Sequence, residues 1–312
     1  MVAKALLFGS NGQLGKTLIA HYQEQSSEYS LDCLRLDKPL INYPGPSVTD
    51  GLNIADLAQL CQVLNQHQPS LIINAAAYTN VDKAEIDREK ANVVNAEAVK
   101  VMAEWAAQNH ARLCHFSTDY VMSGLSREPL IESYPHQPMN YYGYTKSLAE
   151  QYIQQSGCEF LIIRTSWLYS QYSPNFVLTM AHLLRYKQHV FVVDDQWGVP
   201  TSATFVSRYT LQLLQAQQQG IYHVVPSGYT SWYEFALKIR LMMYKQYPEL
   251  TLASIEPISS RDYAKLQQEK YQVAERPRYA ILSNTKLATL LAKKIPDWTL
   301  AFENELRLFK LF

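Results

Sequence analysis

Short apolar runs separated by amphipathic stretches recur along the first two thirds of this chain. The runs are "AKALLFG" (3–9), "LDCLRLD" (31–37), "SLIINAAA" (70–77), "ARLCHFS" (111–117) and "FLIIRTS" (160–166). A strand that is apolar at nearly every position has no face for water, so it belongs inside a sheet that is covered on both sides. Between the runs, the apolar spacing predicts helices over 13–25, 54–66, 91–108 and 142–155. Strands alternating with helices predict an α/β fold, a doubly wound parallel sheet with helices on both faces. The last third differs. Pro200, Pro226, Pro257 and Pro277 punctuate it, its helices look shorter, and 259–283 has weak periodicity and reads as a loop with turns.

The first turn carries chemistry. "FGSNGQLGKTL" places Gly9, Gly12 and Gly15 between a predicted strand and a predicted helix. Glycines there let the chain turn tightly and let a pyrophosphate approach the backbone, while the helix N-terminus offers free N–H groups and a positive dipole end. The fold is therefore expected to be Rossmann-like, with NADPH or NADH as cofactor. Asp37, at the end of the second strand, is placed to accept from the adenosine ribose hydroxyls, which favours NAD. Arg35 and Lys38 flank it, and either would suit a 2′-phosphate, so the preference stays open. Ala75, Ala76 and Ala77, after the third strand, are small enough to pack against a cofactor, or simply close a tight strand end. We expect a dinucleotide-binding domain over 1–165. Residues 166–312 are expected to be mixed, returning some segments to the sheet and building a smaller C-terminal substrate lobe. With 312 residues there is room for both.

Charge and composition narrow the partners. Basic and acidic residues balance at 28 each, so no long-range attraction to nucleic acid or anionic membrane is expected. The N-terminal apolar run is too short for a signal peptide, and no run approaches ~18 apolar residues, so a cytoplasmic protein without a membrane span is expected. Cys33, Cys61, Cys114 and Cys158 are widely spaced and fit free thiols in a reducing compartment. The eight histidines, His115 among them, show no metal spacing and are expected to be structural or on the surface.

"NYYGYTKSLAE" (140–150) sets three tyrosines near Lys146. Residues four apart share a helix face, which selects Tyr142 as the partner of Lys146. Tyr141 lies about 140° further round, and Tyr144 on roughly the other side. A nearby ammonium favours a phenolate, and an oxidised nicotinamide ring would add a second positive charge, which together would bring the Tyr142 phenol toward neutral pH. Tyr142 and Lys146 are thus also expected at the cofactor, the lysine holding the nicotinamide ribose. Among 22 tyrosines chance supplies such a pair easily, so the stretch "FSTDYV" (116–121) matters more. It puts the Ser117 and Thr118 hydroxyls at a strand's C-terminal end, the edge where open α/β sheets bind ligands.

Taken in order, the glycine loop, "NAAAYTNVDKAE", "STDYV", "YYGYTKSLAEQ", "RTSWLY" and "DQWGVPT" resemble the dTDP-4-dehydrorhamnose reductase family of extended short-chain dehydrogenases over essentially the whole chain. The resemblance implies a reductase of a dTDP-linked 4-keto-6-deoxy sugar. It makes Tyr142 the proton donor, Lys146 its partner and Thr118 the hydroxyl that tunes the site. It puts Thr118, Asp119 and Trp167 on the sugar, and Gly12, Gln13 and Leu14 on the cofactor phosphates. Asp37, Asn53, Ile54 and Ala75 to Ala77 match the rest of the cofactor site. Asn53 replaces a common Asp, and Met122 a usual aromatic. Better-known members bind Mg²⁺ at a dimer contact through glutamates; the matching positions here are Thr17 and Thr204. A hydroxyl is a poor substitute for a carboxylate in an oxygen-rich Mg²⁺ site, so no metal is expected, and a homodimer would lack that support.

Three rivals remain. Dehydratases of the same branch carry Asp-Glu after the threonine, whereas Asp119 and Tyr120 stand here. A reductase that contracts the ring to a dihydrostreptose-type product is not separated by these residues. A non-catalytic regulatory subunit of the methionine adenosyltransferase type conflicts with the complete Tyr, Lys and Thr set. Specificity is expected around Tyr229 to Tyr233 and Arg276 to Tyr279, where Arg276 or Arg278 would meet a diphosphate or simply lie on the surface.

Overall fold

The computed structural model describes residues 5–25, 52–172, 174–268, 273–307 and 309. The strand expected at 31–37 lies outside them, and with it Cys33, Arg35, Asp37 and Lys38. Among the described residues, five parallel strands form the main sheet in the order Ala5–Phe8, Leu71–Asn74, Arg112–Thr118, Glu159–Thr165 and Gly220–His223. Every residue of the first and third strands is buried, as a strand covered on both faces requires.

Alternation along the strands sorts their side chains between two layers. Leu7, Ile73, Cys114 and Leu161 meet Leu14 and Leu18 of the Gln13–Gln25 helix and Val206 and Leu213 of the Ala203–Gln215 helix. On the other face Leu6, Ile72, Leu113 and Ile162 meet Leu60 and Leu64 of the Leu57–His67 helix, Val99 and Met102 of the Ala98–Gln108 helix and Ile153 of the Tyr141–Ser156 helix. The architecture is Rossmann-like.

A third core joins the Phe176–Tyr186, Trp232–Gln246 and Trp298–Leu306 helices through Leu184, Phe235, Ile239 and Phe302. Beside it a two-stranded parallel pair, His189–Val193 with Ser254–Ile258, brings together segments far apart in sequence. The chain after 166 is thus divided. Gly220–His223, Ala203–Gln215 and, through Leu287 and Ile295, the segment near the C-terminal end belong to the main sheet and its covering layer, while the Phe176–Tyr186, Trp232–Gln246 and Trp298–Leu306 helices belong to the third core.

Three local expectations change. The helix expected from Ile54 begins at Leu57, because the Asp56 side chain accepts the Gln59 N–H and caps it. The long helix expected over 91–108 contains a π turn at Val93–Glu97. There Asn95 leaves the helical pattern to bond Tyr78, through N–H and carbonyl, and the Thr145 hydroxyl. The segment expected to be loop from 259 holds a helix, Ser260–Gln268. Among the described residues no helix is long and apolar enough to cross a membrane.

Candidate active site

A cleft of about 800 Å³ opens at the C-terminal ends of the parallel strands, the edge an open α/β sheet offers to ligands. Of the residues singled out from the sequence, Gly9, Gly12, Gln13, Leu14, Ala75, Ala76, Ala77, Thr118, Asp119, Tyr142, Lys146 and Trp167 line it. Gly15, Asn53 and Ile54 do not. Gly15 faces the Gly9 carbonyl, where a β-carbon would stand 2.2 Å from the oxygen, so it serves the close packing of loop on helix. Ile54 is a core residue beside Leu60, and Asn53 accepts the Ala55 N–H in the turn before a helix. Asp37 lies outside the described residues.

The glycine loop fits a dinucleotide. Gly9 has φ +82°, and a β-carbon on it would lie 2.5 Å from the Ala76 nitrogen, so the loop and the end of the Leu71–Asn74 strand meet with no room for a side chain. At Gly12 the space is open, with only the Gly9 carbonyl at 3.3 Å. The helix starts at Gln13, so its N-terminus faces the cleft. Gln13 is anchored from across the cleft, its Oε1 accepting from Ser170 Oγ at 3.0 Å and Asn175 Nδ2 at 3.1 Å.

On the facing wall, Asn140 caps the Tyr141–Ser156 helix by accepting the Gly143 N–H at 2.8 Å. Gly143 lets this helix end sit against the loop after the third strand, since a β-carbon there would be 2.3 Å from the Tyr120 carbonyl oxygen. That contact brings Tyr142 beside Thr118. The Tyr142 ring packs edge-on against Tyr120, and Tyr142 and Thr118 line the cleft together. Tyr141 packs on Tyr144 and under Arg88, and neither tyrosine lines the cleft.

The electrostatics of the protein groups alone run the other way. Lys146 shares the helix face with Tyr142, but its Nζ is directed to the Phe116 carbonyl at 2.7 Å and to His115 Nε2 at 2.9 Å. Burial, with the nearby Asp119, pushes the Tyr142 phenol above its ordinary range, and Thr118 pulls it only partly back. The phenol is therefore a firmly protonated acid in this state.

Thr118 Oγ1 donates to Asp119 Oδ1 at 2.8 Å. The other carboxyl oxygen, Oδ2, is buried and meets no donor at hydrogen-bonding geometry among the described residues. Burial pushes the Asp119 carboxyl up to about 7. Trp167 holds φ +44° and stacks on Trp232 with centroids 3.5 Å apart and planes 9° apart. Gly198 makes room for it, because a β-carbon there would lie 2.5 Å from Trp167 Cε2.

Beneath the cleft lies a buried polar network that the sequence reading passed over. Glu150, on the face of Tyr142 and Lys146, accepts from Ser117 Oγ at 2.5 Å and from Arg164 Nε and Nη2 at 2.9 and 2.7 Å. Burial would raise the Glu150 carboxyl, but hydrogen bonds to His136 and Arg164, with the Arg164 charge, hold it well below the usual carboxylate range. The signal was present: 142, 146 and 150 continue one i, i+4 row. Arg276, one of two arginines weighed for a diphosphate, pairs with Asp82 at 2.8 Å and is three-quarters buried, so it is not a plain surface residue. Arg278 is exposed, with its Nη2 3.8 Å from Asp195. Neither lines the cleft. Thr17 donates to the Gln13 carbonyl at 2.8 Å and Thr204 to Glu305 at 2.6 Å. Among the described residues no group of three or more His, Cys, Asp or Glu is placed to hold a metal.

Residues 3–310 match the family model described as the RmlD substrate binding domain. The chain belongs to the dTDP-4-dehydrorhamnose reductase family. It is 32% identical over 310 residues to the dTDP-4-dehydrorhamnose reductase of Burkholderia thailandensis, covering 96% of each chain. It is 31% identical to that of Escherichia coli K12, covering 94% of this chain and 93% of the relative. The crystal structure of the Bacillus anthracis member, in complex with NADP, superposes with a TM-score of 0.81 at 31% identity, covering 99% of this chain and all of that one. Family membership accounts for the order of motifs from glycine loop to "DQWGVPT".

Proposed function

We propose that this chain is an NAD(P)H-dependent oxidoreductase that reduces the 4-keto group of a dTDP-linked 4-keto-6-deoxy sugar. The substrate is dTDP-4-dehydrorhamnose and the product dTDP-L-rhamnose, a precursor of cell-surface polysaccharide. The observation that carries this reading is the convergence of Tyr142, Thr118 and Lys146 on the cleft whose other rim is the glycine loop.

Gly9, Gly12, Gln13 and Leu14 would hold the dinucleotide phosphates, with Ala75 to Ala77 beside them. When bound, the nicotinamide supplies the hydride. Tyr142, buried and protonated, gives its proton to the developing alkoxide, and Thr118 polarises the carbonyl. Asp119 Oδ2, orphaned in the cleft wall, accepts from a sugar hydroxyl, and Trp167 forms an apolar wall against the ring. Residues 1–165 carry the dinucleotide, and the third core supports the sugar side. NADPH is the dinucleotide to test first, since the Bacillus anthracis relative was solved with NADP. A reduced dinucleotide and a nucleotide-linked sugar as reactants support a cytoplasmic reaction.

The experiment is NMR identification of the product formed from dTDP-4-dehydrorhamnose and NADPH. Rhamnose supports the reading. A branched pentose replaces it with the ring-contracting reductase, and binding of both ligands without turnover replaces it with a regulatory role.

A further inference from the structure

The amine of Lys146 is turned against the third strand, in a chain of contacts that fixes where the protons lie. Lys146 and His115 are both fully enclosed, at 2% and 0% exposure. Lys146 Nζ is 2.9 Å from His115 Nε2, and His115 Nδ1 is 3.2 Å from Asn74 Nδ2. Asn74 Oδ1 accepts the Ala76 N–H at 3.1 Å.

A backbone N–H only donates, so the Asn74 atom facing Ala76 is the oxygen and the one facing His115 is the NH₂ group. That NH₂ also only donates, so His115 Nδ1 is the acceptor. A neutral imidazole with an accepting Nδ1 carries its proton on Nε2. The Nε2–H therefore points at Lys146 Nζ. An ammonium has no lone pair to receive it. An amine has one, and still keeps an N–H for the Phe116 carbonyl at 2.7 Å.

We propose that His115, oriented by Asn74, is a positioning residue for Lys146: without the dinucleotide it keeps the lysine an uncharged amine parked on the strand, and the lysine takes up a proton as the dinucleotide enters. The second half rests on the assignment of Lys146 to the cofactor. Of the groups around the amine, Glu150 alone opposes the uncharged form. The third strand offers His115 and the Phe116 carbonyl, and the neighbouring strand Asn74. The lysine's own helix presents Tyr142, a neutral phenol, and Glu150, whose charge favours the ammonium but is bound by Arg164. Burial pushes Lys146 down to about 7 in spite of Glu150, and burial, then the nearby lysine, holds His115 well below the imidazole range.

The test uses the full chain labelled with [¹⁵N]histidine, free of dinucleotide, at pH 8. Two-bond ¹⁵N–¹H correlations distinguish the two tautomers, and the His115 signal is the one lost in His115→Gln. The Nε2–H form is expected; an Nδ1–H form or a charged ring overturns the proposal. Calorimetry of NADP⁺ binding in two buffers of different ionisation enthalpy then counts protons. Uptake approaching about one proton is expected in the wild type. In Asn74→Asp a carboxylate accepts from Nδ1–H and still accepts from Ala76, so Nε2 becomes an acceptor, the lysine is already charged, and uptake falls toward zero. Unchanged uptake in that variant overturns the proposal, since a merely structural Asn74 would leave it alone. If Asn74→Asp fails to fold, the wild-type tautomer decides. Wild-type NADP⁺ affinity in Lys146→Met would instead overturn the cofactor assignment of Lys146, a failure separate from a wrong tautomer.

Discussion

Arg164 and Glu150 meet as a bidentate ion pair with both side chains withdrawn from solvent, at 1% and 0% exposure. The pair ties the fourth strand to the catalytic helix, and through Ser117 to the third strand. Removing the guanidinium leaves a buried carboxylate short of partners. Arg164→Met is expected to cost about 3–5 kcal/mol, measured as a lower urea midpoint.

The same pair sets an acid limit. Glu150 is held below its unfolded value, so its contribution is present above about pH 4.3 and is lost as pH falls further. The wild type should lose stability steeply on acidification from that point. Arg164→Met should follow a shallower curve, and parallel curves would refute this account.

Tyr142→Phe removes the proton donor and little else, because the ring keeps its edge-on contact with Tyr120. Turnover should fall by roughly 10²–10⁴, with NADPH affinity nearly intact, as fluorescence titration would show. Near-normal NADPH oxidation in this variant would sink the proton-donor role.

Gly143→Ala leaves every proposed catalytic atom in the chain but misplaces them. The new β-carbon meets the Tyr120 carbonyl oxygen at 2.3 Å and must drive the helix end away from Thr118. A displacement of about 1 Å at the phenol is expected to reduce kcat by up to ~10². Steady-state kinetics alongside a thermal melt would separate this from unfolding.

Asp119→Asn tests the orphaned oxygen. The folded carboxyl is raised to about 7, so its contribution to stability is full below its unfolded value and fades as pH climbs through about 7. The amide escapes that loss. At pH 8 the variant should be more stable than the wild type, by about 1–3 kcal/mol, yet bind the dTDP-sugar more weakly. Denaturation at pH 5 and pH 8 with substrate titration checks both signs.

The sheet was legible because its strands are apolar on both faces, so Leu6 and Leu7 announce opposite layers without knowledge of either. Tyr142 and Lys146 were legible because helical spacing is local. The π turn at Val93–Glu97 was not, since it depends on Asn95 reaching Tyr78 and Thr145, contacts with no local signature. The Ser260–Gln268 helix was missed because it is largely polar, and its anchorage includes the Gln196 amide donating to Ser260. The direction of the Lys146 amine was also hidden: spacing gives the face of a helix, whereas His115 and Asn74 come from two separate strands.

The stacked indoles of Trp167 and Trp232 have an optical consequence. Two such rings 3.5 Å apart with planes 9° apart lie close enough for their strong transitions to couple, so their circular dichroism depends on how one ring sits over the other. One ring lines the cleft and the other begins a helix of the third core. The protein thus carries an unlabelled reporter where the cleft meets the third core, and any ligand that slides Trp167 along its neighbour writes that movement into the spectrum.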